Sequence, residues 1–542
     1  MSGLGLDLAA VAQRRGGAPD WPEGAVALWL ILGQSNAEGY APYAQDPART
    51  DPAAAAPALT PEERAAHPWL WMSTRGAGPE AGRFVTAQGV ATEATPRTSG
   101  KVWMSGDHGI PVGAPCFGPE IGLVRHVLGG GAPGSWRDDA APRLAILKQT
   151  EGGRSVDHFR WGGAGKDLVL NALRRDGGSG LSSLAAAGPV LVQGMIFVIG
   201  EKDATDPRPG GGGMADTLAV RFAEWVRQLR AALGGDVPVL FTEIHDALDA
   251  RKAAANAALA ALAAALPNAA VLPRAPDWGE IGDGVHYDAA AQDAIGRAAF
   301  AHFRDAHGRP GDGLVTAHPF EGLRPWFHLA PVFVDDVADR MRIAATSAVD
   351  GTLHAVVLDA GAPAPSAEEI RDGAAAPGGL SRPVSADLQT VFYSDAGSFA
   401  ANADQDMHYV LEGADGALGE RGMTPRRGGA RFAPDLAVDS VTVGGAVLSA
   451  RPGFPGEISW ALHVGPRDLP RPEDVEAAAF RPVRAGSRPV GANEDVVLDF
   501  SGLASGVEHV LFLTGRRTSD GARAMIQEIG RASCRERVFP VV

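Results

Sequence analysis

The stretch Gly33-Gln34-Ser35-Asn36 closes an apolar run, Leu28 to Leu32, with three consecutive polar side chains. A serine hydroxyl is a poor nucleophile until a base takes its proton. Given that base, a serine at the end of a buried strand can attack an acyl carbon through a tetrahedral intermediate. Without it, the same residues make a tight turn and nothing more. Of the 14 histidines, His286 has the most suggestive setting, Gly282-Asp283-Gly284-Val285-His286-Tyr287. Asp283 precedes it by three residues, close enough for one turn to aim the carboxylate at the ring. There it would fix the tautomer and stabilise the imidazolium. Taken alone, the spacing fits an N-cap aspartate beside a surface histidine equally well.

Bringing Ser35 to His286 needs a scaffold, and the first ~305 residues alternate short apolar runs with helical stretches, the pattern of an α/β domain with a parallel sheet. Strands are expected at Val26–Leu32, Arg143–Lys148, Gly194–Ile199, Val239–Ile244 and Ala269–Pro273. Their near-continuous apolar content suits strands covered on both faces. Helices are expected from Gly118, with Pro119 and Glu120 in the first turn, and over Met214–Leu233, Arg251–Leu266 and Ala290–Ala306. Five parallel strands would then carry Ser35 at the C-terminal edge of the first, where open parallel sheets bind ligands. Ala41–Ala114, rich in Pro, Gly and Ala, reads as an excursion at the binding rim, and Asp206–Gly213 as a mobile loop. No Walker-type or dinucleotide-binding glycine motif occurs.

Beyond His307 the texture changes to short strands separated by turn residues. Gly351–Ile370 aligns without a gap on Gly456–Val475, and Met407–Glu412 parallels Glu508–Leu513. Repetition at about one hundred residues argues for two tandem β-sandwich modules, fibronectin III-like in texture. The expected organisation is the α/β domain over 1–305, a linker over 306–331, and modules over 332–431 and 432–527. The tail from Glu528 to Val538, EIGRASCRERV, matches one reading frame of a sequencing-adapter oligonucleotide. Residues 528–542 are therefore expected to be an artefact that packs poorly.

Four blocks in order resemble the SGNH (GDSL-type) hydrolases, specifically their sialate O-acetylesterase and acetylxylan-esterase branch. They are Gly33-Gln34-Ser35-Asn36, Gly118-Pro119-Glu120, Lys148 with Gly152-Gly153, and Asp283-x-x-His286. The resemblance covers the first ~305 residues and implies a three-layer α/β/α, flavodoxin-like domain. It further implies a Ser35, His286, Asp283 triad and an oxyanion hole made by the backbone N–H groups of Ser35 and Gly153. Gln34, Glu120 and Glu201 would then lie on the substrate side. The implied substrate is an acetylated carbohydrate or small ester, and the chemistry needs no cofactor. One block departs. The family's Gln-Gly-Glu-x-Asp-Ala is Ile199-Gly200-Glu201-Lys202-Asp203-Ala204 here, so the glutamine amide that helps bind the oxyanion is missing. Losing one such donor typically costs ~3–4 kcal/mol of transition-state stabilisation. Asn36 is a possible substitute. A non-catalytic, carbohydrate-binding or structural protein on the same scaffold is the rival reading, favoured by Ile199 and by the trailing repeats.

The formal net charge of −15 argues against a nucleic-acid or anionic-membrane surface. No apolar run is long enough for a spanning helix. At the N-terminus Arg14 and Arg15 follow the short apolar patch, the reverse of a secretory signal. Compartment and oligomeric state stay open. The two cysteines cannot form a disulfide framework. Cys116 reads as a small buried thiol. His245, with Glu243 and Asp246, reads as a strand-loop histidine in preference to a metal ligand. Trp161 and Trp278 are core candidates before they are sugar platforms.

Overall fold

The computed structural model describes residues 24–42 (except 40), 66–74, 85–88, 116–123 (except 121), 143–163, 184, 188–205, 214–306 (except 246–249, 277 and 281–283), 318–426 (except 321–323, 338–339, 376–378, 396–398 and 400–402), 437–519 (except 443–444, 466–467, 481 and 505–506) and 527–533. Asp283, the Asp206–Gly213 segment and Cys534 lie outside these residues. The chain forms two compact units. The first holds residues 1–159, 164–206 and 233–323; the second holds 160–163, 207–232 and 324–542.

The first unit is built on β1 (Val26–Gly33), β3 (Ala66–Thr74), β4 (Val85–Gln88), β6 (Arg143–Thr150), β7 (Val190–Val198), β8 (Val239–Thr242), β9 (Ala269–Leu272) and β10 (His318–Phe320). The sheet runs β4-β3-β6-β1-β7-β8-β9. All neighbours from β3 to β9 pair in parallel, while β4 and β10 add antiparallel edges to β3 and β7. A small ladder of β2 (Ala41–Pro42) and β5 (Cys116–Phe117) stands apart. Every residue of β1 and β7 is buried, as continuous apolar strands in a parallel sheet must be.

Among the described residues six parallel strands form, not five. The additional one, β3, comes from the stretch expected to be an excursion. Pro68 disguised it. A proline cannot donate to a ladder, but Pro68 precedes the Leu70–Thr74 segment that pairs with β6 and falls in the register shift between Ala66 and Trp71 on the β4 side, where it is tolerated. The segment read as a linker over 306–331 also carries β10 and the start of the next strand.

The connections fix the site. β1 lies between β6 and β7, and the chain leaves β1 toward β3 and β6 before crossing to β7, β8 and β9 on the other side. That reversal makes the carboxyl ends of β1, β6 and β7 a topological switch point, where open α/β sheets bind ligands. Gly33 ends β1 at φ +143°, and a Cβ there would lie 2.1 Å from the Val198 carbonyl oxygen. Only glycine lets the two strand ends approach so closely.

The second unit contains strands β11 (Phe327–Val337), β12 (Arg340–Ser347), β13 (Gly351–Asp359), β14 (Gly379–Val384), β15 (Gln389–Tyr393), β16 (Gln405–Gly413) and β17 (Gly422–Arg426). They are followed by β18 (Ala437–Thr442), β19 (Gly445–Ala450), β20 (Gly456–Val464), β21 (Arg484–Val490), β22 (Val496–Asp499), β23 (Glu508–Arg517) and β24 (Gln527–Ser533). Sheets β11-β12-β15 and β14-β13-β16-β17 recur as β18-β19-β22 and β21-β20-β23-β24, strand for strand. All are antiparallel. The aligned Gly351 and Gly456 are the first residues of β13 and β20. Each pair of sheets shares a core, with Phe333, Ile343, Leu353 and Leu411 in one and Leu448, Ile458, Leu498 and Leu513 in the other.

Two features of this unit differ from expectation. The tail expected to pack poorly contributes β24, which pairs along β23 from Glu508 to Leu513. Residues 207–232, which include most of the helix Leu218–Leu233, belong to this unit and not to the α/β one. Buried charge ties that segment in. Glu224 pairs with Arg227 at 2.9 Å on its own helix and reaches Arg471 at 3.1 Å, and Arg471 in turn pairs with Asp474, which also holds Arg160 at 2.8 Å. Such pairing leaves no trace in hydrophobic periodicity.

Candidate functional site

Three strand ends supply the site. After β1, the helical turn Ser35–Glu38 begins at Ser35, whose N–H, as the first of the turn, has no intrahelical acceptor. After β6, Gly152 and Gly153 form a turn in which Gly153 is exposed and takes the left-handed φ of +69°. After β7 come Ile199, Gly200 and the short helix Glu201–Thr205. His286 arrives from the loop between β9 and the helix Ala289–Ala306, and its Nε2 is hydrogen-bonded to Ser35 Oγ at 2.8 Å.

The frame around this pair is polar and buried. Asn36 Nδ2 donates to Glu201 Oε1 and, at 3.0 Å, to the Val285 carbonyl; its Oδ1 accepts from the Tyr287 N–H at 2.9 Å. Gln34 Nε2 donates to the other Glu201 oxygen. Gln292 Nε2 donates to the Asn36 carbonyl at 3.0 Å. Glu38 Oε2 accepts from the Gly152 N–H at 2.8 Å, linking the serine turn to the glycine turn. Asp203 accepts from the Val156 N–H at 3.1 Å, at the start of the helix Val156–Phe159 that follows the glycines.

Several expected roles change with this placement. Both Nδ2 hydrogens of Asn36 are committed to Glu201 and Val285, so this amide serves the frame and is not a spare oxyanion donor. Gln34, Glu120 and Glu201 are as buried as Ser35, and their polar atoms are engaged with protein partners: Gln34 with Glu201, Glu201 also with Asn36, and Glu120 with Lys148. Glu120 pairs with Lys148 at 2.8 Å and accepts from the Gly118 N–H at 3.0 Å. Burial pushes the Glu120 carboxyl up and the Lys148 ammonium down, against the attraction between them. Ile199 is buried and offers no donor. Trp278 packs edge-on against Tyr287, and Trp161 stacks on His328 at 3.7 Å, as core rings do. Among the described residues no group of three or more His, Cys, Asp or Glu side chains could hold a metal, and no helix is long and apolar enough to cross a membrane.

Sequence reasoning missed the supports of the histidine loop. Lys252 Nζ donates to the Gly284 carbonyl at 2.7 Å, and Glu280 accepts from the Gly284 N–H at 2.8 Å. Tyr287 Oη donates to the Glu243 carbonyl at 2.7 Å. Only Tyr287 had a signal, its place beside His286; Lys252 lies in an alanine-rich helix with no motif.

No protein-family model and no curated protein matches the chain. Among solved structures, an Arabidopsis thaliana protein is similar at 13% identity and a TM-score of 0.36, over 52% of this chain and 98% of that one. A carbohydrate acetylesterase from Xanthomonas citri is similar at 16% identity and a TM-score of 0.33, over 74% of this chain and 78% of that one. The FN1–FN3 domains of chicken CNTN1 are similar at 9% identity and a TM-score of 0.16, over 39% and 66% of the two chains. None of these three reaches a TM-score of 0.5.

Proposed function

We propose that this chain is a serine esterase that removes O-acetyl groups from a carbohydrate, on a three-layer, flavodoxin-like SGNH scaffold followed by two fibronectin III-like modules. The observation that supports the reading is the 2.8 Å hydrogen bond between Ser35 Oγ and His286 Nε2 at the switch point of the sheet. His286 Nε2 takes the hydroxyl proton as Ser35 Oγ attacks the acetyl carbon. The carbonyl oxygen becomes an oxyanion that draws on the N–H groups of Ser35 and Gly153. The imidazolium gives its proton to the departing sugar oxygen as the C–O bond breaks. Water then repeats the sequence on the acetyl-enzyme, releasing acetate and restoring Ser35. Asp283 is assigned the orientation of the ring. The carbohydrate class comes from the four sequence blocks, and the partners reduce to an acetylated carbohydrate or small ester, with no nucleic acid.

Ile199 favours a second reading, a carbohydrate-binding or structural protein that keeps the scaffold without the reaction. Steady-state hydrolysis of 4-nitrophenyl acetate by the full chain and by Ser35→Ala separates the two. Turnover that disappears with the hydroxyl supports the esterase. Equal rates from both proteins, or none from either, support the binding protein.

A further inference from the structure

Glu201 stands behind the nucleophile, and its two carboxyl oxygens take different partners. One accepts from Gln34 Nε2 and the other from Asn36 Nδ2. These are the residues on either side of Ser35, so one carboxyl group brackets the nucleophile. Asn36 repeats the device on the base. It holds the Val285 carbonyl at 3.0 Å and the Tyr287 N–H at 2.9 Å, the residues on either side of His286. Both reacting side chains thus hang from one buried hydrogen-bonded frame, attached through their neighbours.

We infer that Glu201 is a positioning residue of this site, a buried bracket that fixes the Ser35 hydroxyl relative to the His286 ring through Gln34 and Asn36. The inference rests on the esterase reading of Ser35 and His286. The bracket is built from hydrogen bonds, one to each carboxyl oxygen. Burial pushes the Glu201 carboxyl above its ordinary range, against the opposing effects of the Asn36 hydrogen bond and the His286 and Lys252 charges. Gln34 Oε1 is buried with no hydrogen-bond partner. Turning the Gln34 amide over would aim that oxygen at position 201. Asn36 cannot turn in the same way, because Tyr287 and Val285 fix both ends of its amide. A glutamine at position 201 would present an oxygen to Asn36 and an N–H to the turned Gln34, preserving the frame without the charge.

The test uses the full chain and the variants Glu201→Ala, Glu201→Gln, Asn36→Ala and the Glu201→Ala/Asn36→Ala double. Competent sites are counted with a 4-nitrophenyl phosphonate, so turnover of 4-nitrophenyl acetate is read per titrated site and a loss of folded protein does not enter. Glu201→Ala lowers kcat per site by about 10- to 100-fold with little change in KM, the scale of a displaced reacting group. Glu201→Gln recovers most of that loss. The double variant is no worse than the poorer single, because both residues act in one chain of bonds. Should Glu201→Ala not fold, Gln34→Ala removes one arm of the bracket and carries the same expectation. A Glu201→Ala enzyme with wild-type kcat per site, a Glu201→Gln enzyme as impaired as Glu201→Ala, or additive losses in the double would each overturn the inference alone. A wild-type chain that neither hydrolyses the ester nor reacts with the phosphonate overturns it together with the esterase reading.

Discussion

Ser35 Oγ and His286 Nε2 lie 2.8 Å apart although 251 residues separate them in the chain. That distance suits transfer of a proton from a nucleophile to its base. Ser35→Ala and His286→Ala are each expected to abolish acetyl-ester hydrolysis, whereas Asp283→Asn leaves a measurable fraction. Members of such a unit do not contribute additively, so the Ser35→Ala/His286→Ala double should be no slower than either single. Initial rates on a small acetyl ester check all four proteins.

Ile199 occupies the position where the resembling family carries an oxyanion donor. Ile199→Gln is expected to raise kcat more than it changes KM, because such a donor acts mainly in the transition state. The gain approaches ~10²-fold if the new amide points at the oxyanion. Since Ile199 is buried, an amide that finds no partner costs about 1–3 kcal/mol of stability. Paired kinetics and thermal melts read both effects. An unchanged kcat with a lowered Tm means that the two backbone donors already complete the hole.

The Lys148–Glu120 pair is buried on both sides, so removing one charge strands the other. Lys148→Met is expected to destabilise the α/β unit by about 3–5 kcal/mol, and Lys148→Met/Glu120→Leu by less. The sign with pH follows from Glu120. Its carboxyl is already raised by burial, and losing Lys148 raises it further. The deficit of Lys148→Met is therefore largest at pH above the raised folded value of Glu120 and shrinks as pH falls from there toward the ordinary value of 4.5. Chemical denaturation at pH 7.5 and pH 4.5 measures the difference.

Asp474 behaves in the opposite sense. Burial would raise its carboxyl, but Arg160 and Arg471 outweigh that and hold it down at about 2. A depressed carboxyl contributes stability that is present above its unfolded value of 3.8 and is lost as pH falls toward about 2. Asp474→Asn should remove about 2 kcal/mol at neutral pH, from a shift of that size. The gap between wild type and variant should close between about pH 4 and pH 2. Acid unfolding curves of the two proteins test it.

Much of the fold was legible because a parallel sheet demands unbroken apolar strands. The Val26–Gly33 and Val190–Val198 strands carry that signature, and the helices Leu218–Leu233, Ala250–Ala265 and Ala289–Ala306 carry length and propensity. The β3 strand did not show, since Pro68 argues against a strand until its place in the register shift of the β3–β4 ladder is known. The β24 strand did not show because the adapter-like match of Glu528–Val538 took that stretch out of the reading, whereas its backbone pairs along β23 all the same. At the site, Ser35 and His286 were legible as motif residues. The bracket was not, because what makes Glu201 and Asn36 matter is the direction of their hydrogen bonds, which only the juxtaposition of the β1 and β7 ends with the histidine loop creates.

The deciding measurement is to incubate the full chain with an active-site serine phosphonate and locate the modified residue by peptide mass mapping. A single adduct on Ser35, absent from His286→Ala under the same conditions, is the result expected of an activated nucleophile. An unmodified Ser35 in folded protein, or equal labelling with and without His286, would contradict the esterase reading.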